Sequence, residues 1–380
     1  MSIPRLVLRS SGRCSFAVSR AFSVQSVSRN AAQPAYKAPA LGVNRTYDEA
    51  LKIIAADKAS RLAEVAKMKK SLEELTKAAR DAEIAQLEEK IFKQEAYAEI
   101  NDPEIQWRFK HGQIDMSKPV FRYMKSQQFE RDILPVIQQR VTQMFVTPDL
   151  LPPFIPSVNV QLDYGAGALV KDDEDSSSAT EEAAVAAAGD HYFETGSFLL
   201  PGKTIQEPKV NVTSFHPEPK YYTVALIDVD VPDVENQSFK QELHWLMTNV
   251  QLSSTQTQVN KENADVILSY IPPHPPKGMN YHRYTLLVAE QPKDGQEKIQ
   301  VDQKQITRET TLRELCSHYN LDVKGLTFFR QVWDKDVSRI YRDVLKQPEP
   351  VYGKQPKTDM LLDDTGRKMK KYANLRSWDA

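Results

Sequence analysis

Four apolar runs limit what this chain can fold into. Residues 221–229, 243–250, 266–270 and 284–289 are rich in β-branched and aromatic side chains, and Pro, Asn or Gly punctuates the stretches between them. Such side chains crowd the preceding turn of a helix but fit a pleated surface. Turn-separated runs of this length predict a mainly β, antiparallel domain. Val158-Asn-Val160-Gln-Leu162 alternates apolar and polar residues and reads as a further strand. The domain is expected to open at residue 150, in Leu150-Leu-Pro-Pro-Phe-Ile-Pro156, and to close at 346. Two short helices precede that end, 311–319 and 336–345, the second with Val337, Ile340, Tyr341 and Val344 on one face. With 41% hydrophobic residues the chain can build such a core. It has no run of about 18 apolar residues, so no membrane span is expected.

The flanks have other compositions. Residues 46–97 lack Gly and Pro and read as one long helix in a helical N-terminal arm over 23–149. Val65, Met68, Leu72, Leu75, Ala79 and Ala82 form an apolar stripe on it. A long helix far from the β runs fits docking onto a neighbour at least as well as packing on its own domain. Asn101-Asp102-Pro103 signals a new helix start, and residues 132–145 read as an amphipathic helix broken by Pro135. Between them, Trp107-Arg108-Phe109-Lys110 and Arg122-Tyr123-Met-Lys125 mix cations with aromatics. A surface that grips phosphates and stacks on bases needs that mixture. The same aromatics equally suit a small core with solvated cations. Residues 172–189 are acidic, Ser- and Ala-rich and expected to form a disordered surface loop. The tail, 347–380, carries the basic knot Arg367-Lys368-Met-Lys370-Lys371 and is expected to dock onto a partner rather than fold alone.

Residues 1–47 contain no Asp or Glu, and Arg5, Arg9 and Arg13 recur every four residues. That is the pattern of a mitochondrial transit peptide, and Arg20-Ala-Phe22-Ser23 places its end at residue 22. Loss of residues 1–22 removes four arginines and takes the formal charge from -1 to -5. A chain of that sign is not a generic nucleic-acid binder, so RNA contact would have to come from local patches, and no DNA partner is expected. The two cysteines, Cys14 and Cys316, cannot make a disulfide framework; Cys316 reads as a small buried hydrophobe.

Three motifs lie at the ends of the β runs: Asp228-Val-Asp230-Val-Pro232, His244-Trp245 and Pro275-Pro-Lys-Gly278 followed by His282-Arg283-Tyr284. Together they can bring one carboxylate, two imidazoles and a phenol to one small pocket. Imidazole N–H and phenol O–H groups suit an anion. Asp228 would fix the tautomer of an imidazole, Asp230 and Pro232 would shape the turn, and Gly278 would give backbone freedom at the mouth. Arg283 reads as a structural ion pair with Asp230.

In order and spacing the motifs resemble the signature of the phosphatidylethanolamine-binding protein family over residues 150–346. The resemblance implies an antiparallel β-sandwich and an anion pocket formed by Asp228, Asp230, His244, Pro275, His282 and Tyr284. Val229, His274 and Asn280 depart from the family pattern. The arrangement of Arg-rich N-terminus, helical arm, domain and tail resembles that of family members built into the mitochondrial large ribosomal subunit. It implies a structural, non-enzymatic component of the matrix that contacts ribosomal RNA and neighbouring proteins and supports translation there. Contact candidates are Trp107, Arg108, Phe109, Lys110, Arg122, Tyr123, Lys125, Arg367, Lys368, Lys370 and Lys371. The alternative is a free module that binds anionic phospholipid or inhibits a kinase or protease.

Catalysis finds little support. The motifs contain no Ser or Cys nucleophile. No His-Glu-x-x-His or paired Cys-x-x-Cys appears, and the Pro-rich spacing of His244, His274 and His282 fixes no ligand geometry, so neither a metal nor a cofactor is expected. Gly196-Ser-Phe-Leu-Leu-Pro-Gly202-Lys203-Thr204 imitates a phosphate loop but has five residues between its glycines, and Pro208 follows where a helix should run.

Overall fold

The computed structural model describes residues 35–40, 42–77, 81–168, 191–302 and 306–353. The expected transit segment 1–22, the acidic loop 172–189 and the basic knot of the tail lie outside these residues.

Five antiparallel strands form the central sheet, in the order β5-β4-β3-β6-β7. They are β3 (Lys220–Asp233), β4 (Ser238–Leu252), β5 (Asp265–Leu268), β6 (His282–Glu290) and β7 (Asp322–Gln331). A two-stranded ribbon, β1 (Asn159–Asp163) with β2 (Lys209–Thr213), completes the sandwich. Every run expected to be a strand is one. β2 and β7 were not anticipated, although Val210 and Val212 alternate as a strand should, and β7 contains Leu326, Phe328 and Phe329.

Both faces of the sheet are buried, which explains why its strands read as nearly continuous apolar runs. Along β3, Tyr222, Val224 and Leu226 pack with Val158, Val160, Val210 and Val212 of the ribbon. Their neighbours Ala225, Ile227 and Val229 pack on the opposite side with Leu287, Leu326, Phe328 and a helical layer. That layer comes partly from the arm: Phe129, Ile137, Val141, Val146 and Leu150 are all in this core. The β domain therefore does not start at residue 150 in packing terms. Its core reaches back at least to Phe129.

The arm differs from the single helix expected. α1 (Arg45–Lys77) and α2 (Asp81–Glu99) lie side by side, tied by Lys58–Glu99 at 2.9 Å and Lys69–Glu95 at 2.7 Å. Val65 is buried, Met68, Leu72 and Leu75 are half-buried, and α2 contributes Ile91, Ala96 and Ala98. Two helices with narrow apolar stripes satisfy each other, so the stripe is not held open for a partner. The side chains of Ala79 and Ala82 lie outside the described set.

α3 (Pro103–Lys110) starts where expected, with the Asp102 carboxylate accepting from the Glu104 backbone N–H at 3.0 Å. α4 (Pro119–Gln128) continues through a π-helical turn, Phe129–Ile133, into α5 (Leu134–Gln143). Pro135 thus begins a helix rather than breaking one, and the wider turn before it accommodates the missing N–H. Late in the chain, α6 (Leu312–Tyr319) carries a Thr311/Glu314 capping box. α7 (Lys335–Arg339) runs into another π-helical turn, Ile340–Leu345. That turn shifts the helical phase: Val337, Ile340 and Tyr341 are buried, whereas Val344 is exposed.

Candidate functional site

The sequence motifs meet at one end of the sheet. Asp228 on β3 pairs with Tyr284 on β6, and His282 lies two residues before Tyr284 on the same face. His244 is placed by an irregularity in β4: Leu226 opposes Trp245 and Ile227 opposes Leu243, leaving His244 as the extra residue of a β-bulge. Bulges re-aim side chains in this way. The His244 and Tyr284 rings meet edge to face, 5.3 Å between centroids, while His282 stacks beside Tyr284 at 6.3 Å.

Asp228 is the hub. His282 Nδ1 donates to its Oδ2 at 2.8 Å, and the Asp230 backbone N–H donates to Oδ1 at 2.9 Å. Burial acts against charge on both partners, but their mutual attraction outweighs it: Asp228 is held below the ordinary carboxylate range and His282 above the ordinary imidazole range. Burial, reinforced by the charge of His274, pushes His244 down to about 3, so it is neutral at physiological pH. Burial, then the charge of Asp228, raises the Tyr284 phenol well above its usual range. Its hydroxyl lies close enough to feel Asp228 yet has no partner in hydrogen-bond geometry. His244 Nε2 and His282 Nε2 are also buried without a protein partner. Among the described residues, the two Nε2 atoms are thus the groups of the cluster left unengaged by protein, while the Tyr284 hydroxyl stays beside Asp228.

Asp230 and Arg283 serve the frame. Arg283 gives Asp230 its backbone N–H at 2.8 Å, Nε at 2.8 Å and Nη2 at 2.5 Å. Its Nη1 donates to the carbonyls of Met144 and Phe145, both at 2.8 Å, and to Asp149 at 2.9 Å. The ion pair expected from the sequence is thus a clamp that fastens the β3 turn to the end of the arm. Asp230 is consumed by it and is not part of the imidazole cluster. Pro275 is buried in the loop before β6. Gly278 there has φ +91°, and a Cβ would lie 1.6 Å from the Tyr352 carbonyl oxygen, because the Tyr352 backbone N–H donates to Lys277 at 2.8 Å and straps this loop.

Access is narrow. A cavity of about 520 Å³ beside the motifs is lined by Phe145, Asp230, Phe239, residues 278–281, His282 and Arg283, but not by Asp228, His244 or Tyr284. Those three are at most 3% exposed. Glu242, which pairs with Asp228 across β3 and β4, brings a second carboxylate to the same end of the sheet. Sequence reading missed Glu242, and weighed His274 with His244 and His282 only to set a metal aside, since nothing in the motif spacing fixes how a strand residue and a loop residue meet.

The basic-aromatic segment is largely committed internally. Arg122 is buried, donates to the Met116 and Ser117 carbonyls at 3.2 and 2.7 Å, and lies over the Phe92 ring. The Tyr123 hydroxyl meets that of Tyr97 at 3.0 Å, and Lys125 lies over Phe109, which packs on Ile105, Val120 and Phe121. Trp107 stacks on His111 at 3.9 Å, and Arg108 pairs with Glu104. Lys110 alone of the described candidates is exposed. Cys316 is half-buried, and burial pushes its thiol up to about 11, as suits a packing residue rather than a reactive one.

Residues 176–329 match the family described as Phosphatidylethanolamine-binding protein. That segment is similar to the family, and the chain has a fold like the family's, an antiparallel sandwich with helices added at both ends. It is also similar to "Large ribosomal subunit protein mL38" of Schizosaccharomyces pombe, 29% identical over 241 residues, covering 63% of this chain and 70% of that protein. Among solved structures it resembles a carboxypeptidase Y inhibitor complexed with its cognate proteinase, at 17% identity and TM-score 0.41, covering 54% of this chain and 98% of the other. It likewise resembles a phosphatidylethanolamine-binding protein from Plasmodium vivax, at 15% identity and TM-score 0.37, covering 52% and 97%.

Proposed function

We propose that this chain is a non-catalytic structural constituent of the large subunit of the mitochondrial ribosome, located in the matrix. One observation carries the reading: the likeness to the yeast ribosomal protein spans 241 residues, more than residues 176–329 can supply. It therefore extends beyond the segment that the family model matches. The acid-free, Arg-striped N-terminus supports import into mitochondria. Contacts with ribosomal RNA and neighbouring proteins fall to the outer faces of α1 and α2, to Lys110, and to the tail with Arg367, Lys368, Lys370 and Lys371.

The rival reading, a free anion- or phospholipid-binding or inhibitory module, meets two physical objections. Asp228, His244 and Tyr284 are buried away from the neighbouring cavity, and the pairing of Asp228 with Glu242 puts two carboxylates at the pocket, a poor field for an anion. Sedimentation of a mitochondrial lysate containing the tagged full-length chain tests the proposal. The chain should travel with the large subunit and shift with it when the particle is dissociated by magnesium removal. A chain that stays at the top of the gradient while the large subunit is intact would defeat it.

A further inference from the structure

Glu242, His244 and His274 each bring one possible ligand atom to within 4.8 Å of the other two. They come from two segments. Glu242 and His244 lie two residues apart on β4, the second re-aimed by its bulge, and His274 comes from the loop before β6.

The ring nitrogens are already sorted. His244 Nδ1 faces the Ile271 carbonyl at 3.0 Å, and His274 Nδ1 faces the Pro272 carbonyl at 2.8 Å. A carbonyl only accepts, so both Nδ1 atoms carry a proton, which leaves each Nε2 as the ring atom available to a metal ion. Backbone carbonyls hold metal-ligating histidines in this same manner. His244 Nε2 is fully buried and has no protein partner. The loop is stiff where it matters: Pro272, Pro273, Pro275 and Pro276 flank His274, and the Tyr341 hydroxyl donates to the His274 carbonyl at 3.0 Å. Charge points the same way. Glu242 stands opposite Asp228 across the strand pair, and since His282 engages Asp228, Glu242 is the carboxylate of the two that is left for an ion.

We propose that Glu242, His244 and His274 bind one divalent transition-metal ion of the zinc class, through two imidazole Nε2 atoms and one carboxylate oxygen, with a fourth position open to water or a small anion. Two nitrogens and a single oxygen suit zinc or cobalt; they do not suit calcium or magnesium, which demand oxygen shells. The ion would pin the Pro-rich loop to β4. The spacing of the histidines alone fixes no ligand set; the sheet adds Glu242 and aims His244 toward the loop. This inference is independent of the ribosomal reading.

The full-length chain, free of any polyhistidine tag and stripped by chelator, is titrated with Co²⁺ and then Zn²⁺. One equivalent of Co²⁺ should bind with visible absorption bands of a four- or five-coordinate site, and Zn²⁺ should displace it while Mg²⁺ does not. His274→Ala and Glu242→Gln should each weaken Co²⁺ binding at least about tenfold, since even outer partners of a metal site have effects of that order. His318→Ala, on α6, should bind like the parent. Zn²⁺ should also raise the thermal midpoint of the parent and not that of His274→Ala. Absence of saturable one-equivalent binding overturns the proposal. So does parent-like binding by either ligand variant, with its fold verified by circular dichroism.

Discussion

The β domain and the α1/α2 hairpin solve the problem of burial in opposite ways. In the domain, Leu226, Ile227, Leu243, Leu246, Leu286, Val288, Phe328 and Phe329 are all completely buried, and each sheet face has its own covering layer. In the hairpin, two helices of 33 and 19 residues bury little beyond Val65, Ile91, Ala96 and Ala98, while Ile53 and Leu62 face solvent. Between hairpin and domain lies a cavity of about 1000 Å³, with Lys69, Leu72, Phe92 and Arg122 on one side and Phe215, His216 and Lys220 on the other. Helices gain most of their stability from tertiary packing. A hairpin this thinly packed is a poor stabiliser of its own chain and a natural contact surface for a larger body. The domain stands by itself.

The largest effect should come from where the chain is cut. Removing residues 48–125 takes away the hairpin, α3 and most of α4 but spares Phe129. The remainder should fold with native-like circular dichroism and should lose co-sedimentation with the large subunit. Removing 48–149 also deletes Phe129, Ile137, Val141 and Val146 from the core. Each fully buried large apolar side chain is worth about 1.5–3 kcal/mol, against a whole-domain stability of about 5–15 kcal/mol. The longer deletion should not fold cooperatively. If both deletions melt alike in urea, the division between hairpin and domain is misplaced and the boundary at residue 150 is the right one.

Next in size is the clamp between the two regions. Arg283 is the group through which the β3 turn holds Met144, Phe145 and Asp149. Arg283→Met keeps the stem and removes the charge, leaving Asp230 partly buried without its partner. A loss of about 3 kcal/mol is expected, toward the lower end for a broken buried pair. Urea denaturation of the 126–380 fragment reads it. A loss below 1 kcal/mol would mean that the clamp is ornamental and that apolar packing alone joins arm and domain.

These two regions were also unequally legible in the sequence. The strands were readable because both sheet faces are buried, so apolar side chains run on without a break. β2 escaped notice because only Val210 and Val212 mark it, and it exists through pairing with β1. The hairpin was misread because composition reports helix, and nothing in a Gly- and Pro-free stretch marks a reversal. That Asp228 holds an imidazole and that Arg283 pairs with Asp230 followed from motif chemistry; that the imidazole is His282 did not. Glu242 did not, since its approach to His274 depends on a bulge and a loop strap that leave no periodic trace. The cations of 106–125 misled in part: Arg122 satisfies two backbone carbonyls inside the protein, a demand visible only in three dimensions.

A smaller effect concerns pH at the hairpin-facing edge. His216 is half-buried, with Nδ1 on the Glu218 carbonyl at 2.6 Å and Nε2 on the Tyr222 hydroxyl at 2.8 Å. Burial lowers its pKa, helped by Lys220 and opposed by the Glu218 carbonyl and by the charges of Glu290 and Glu218. A histidine with a depressed folded value prefers to be neutral in the fold. Its contribution is whole above the unfolded value near 6.5 and is lost as pH falls below it. Stability should therefore decline from pH 7 to pH 5 by up to about 1.4 kcal/mol per unit for this proton. In His216→Gln the decline should be shallower; an unchanged slope would assign the loss elsewhere.

The smallest effect compares one kind of ion pair in both regions. Lys58–Glu99 ties α1 to α2 at 2.9 Å with both side chains about a third exposed, whereas Lys220–Glu290 lies inside the domain edge at 2.8 Å with Glu290 nearly buried. Water screens the first pair and hardly reaches the second carboxylate. Lys58→Ala should cost about 0.2–1 kcal/mol and less at high salt, as exposed pairs do. Lys220→Ala should cost about 1–2 kcal/mol, because Glu290 then depends on Lys324, its other cation, at 3.5 Å. Thermal melts at low and high salt separate the two. Should Lys58→Ala prove the more damaging, the hairpin is welded to itself by charge, and its loose packing against the domain is no sign of a surface awaiting a partner.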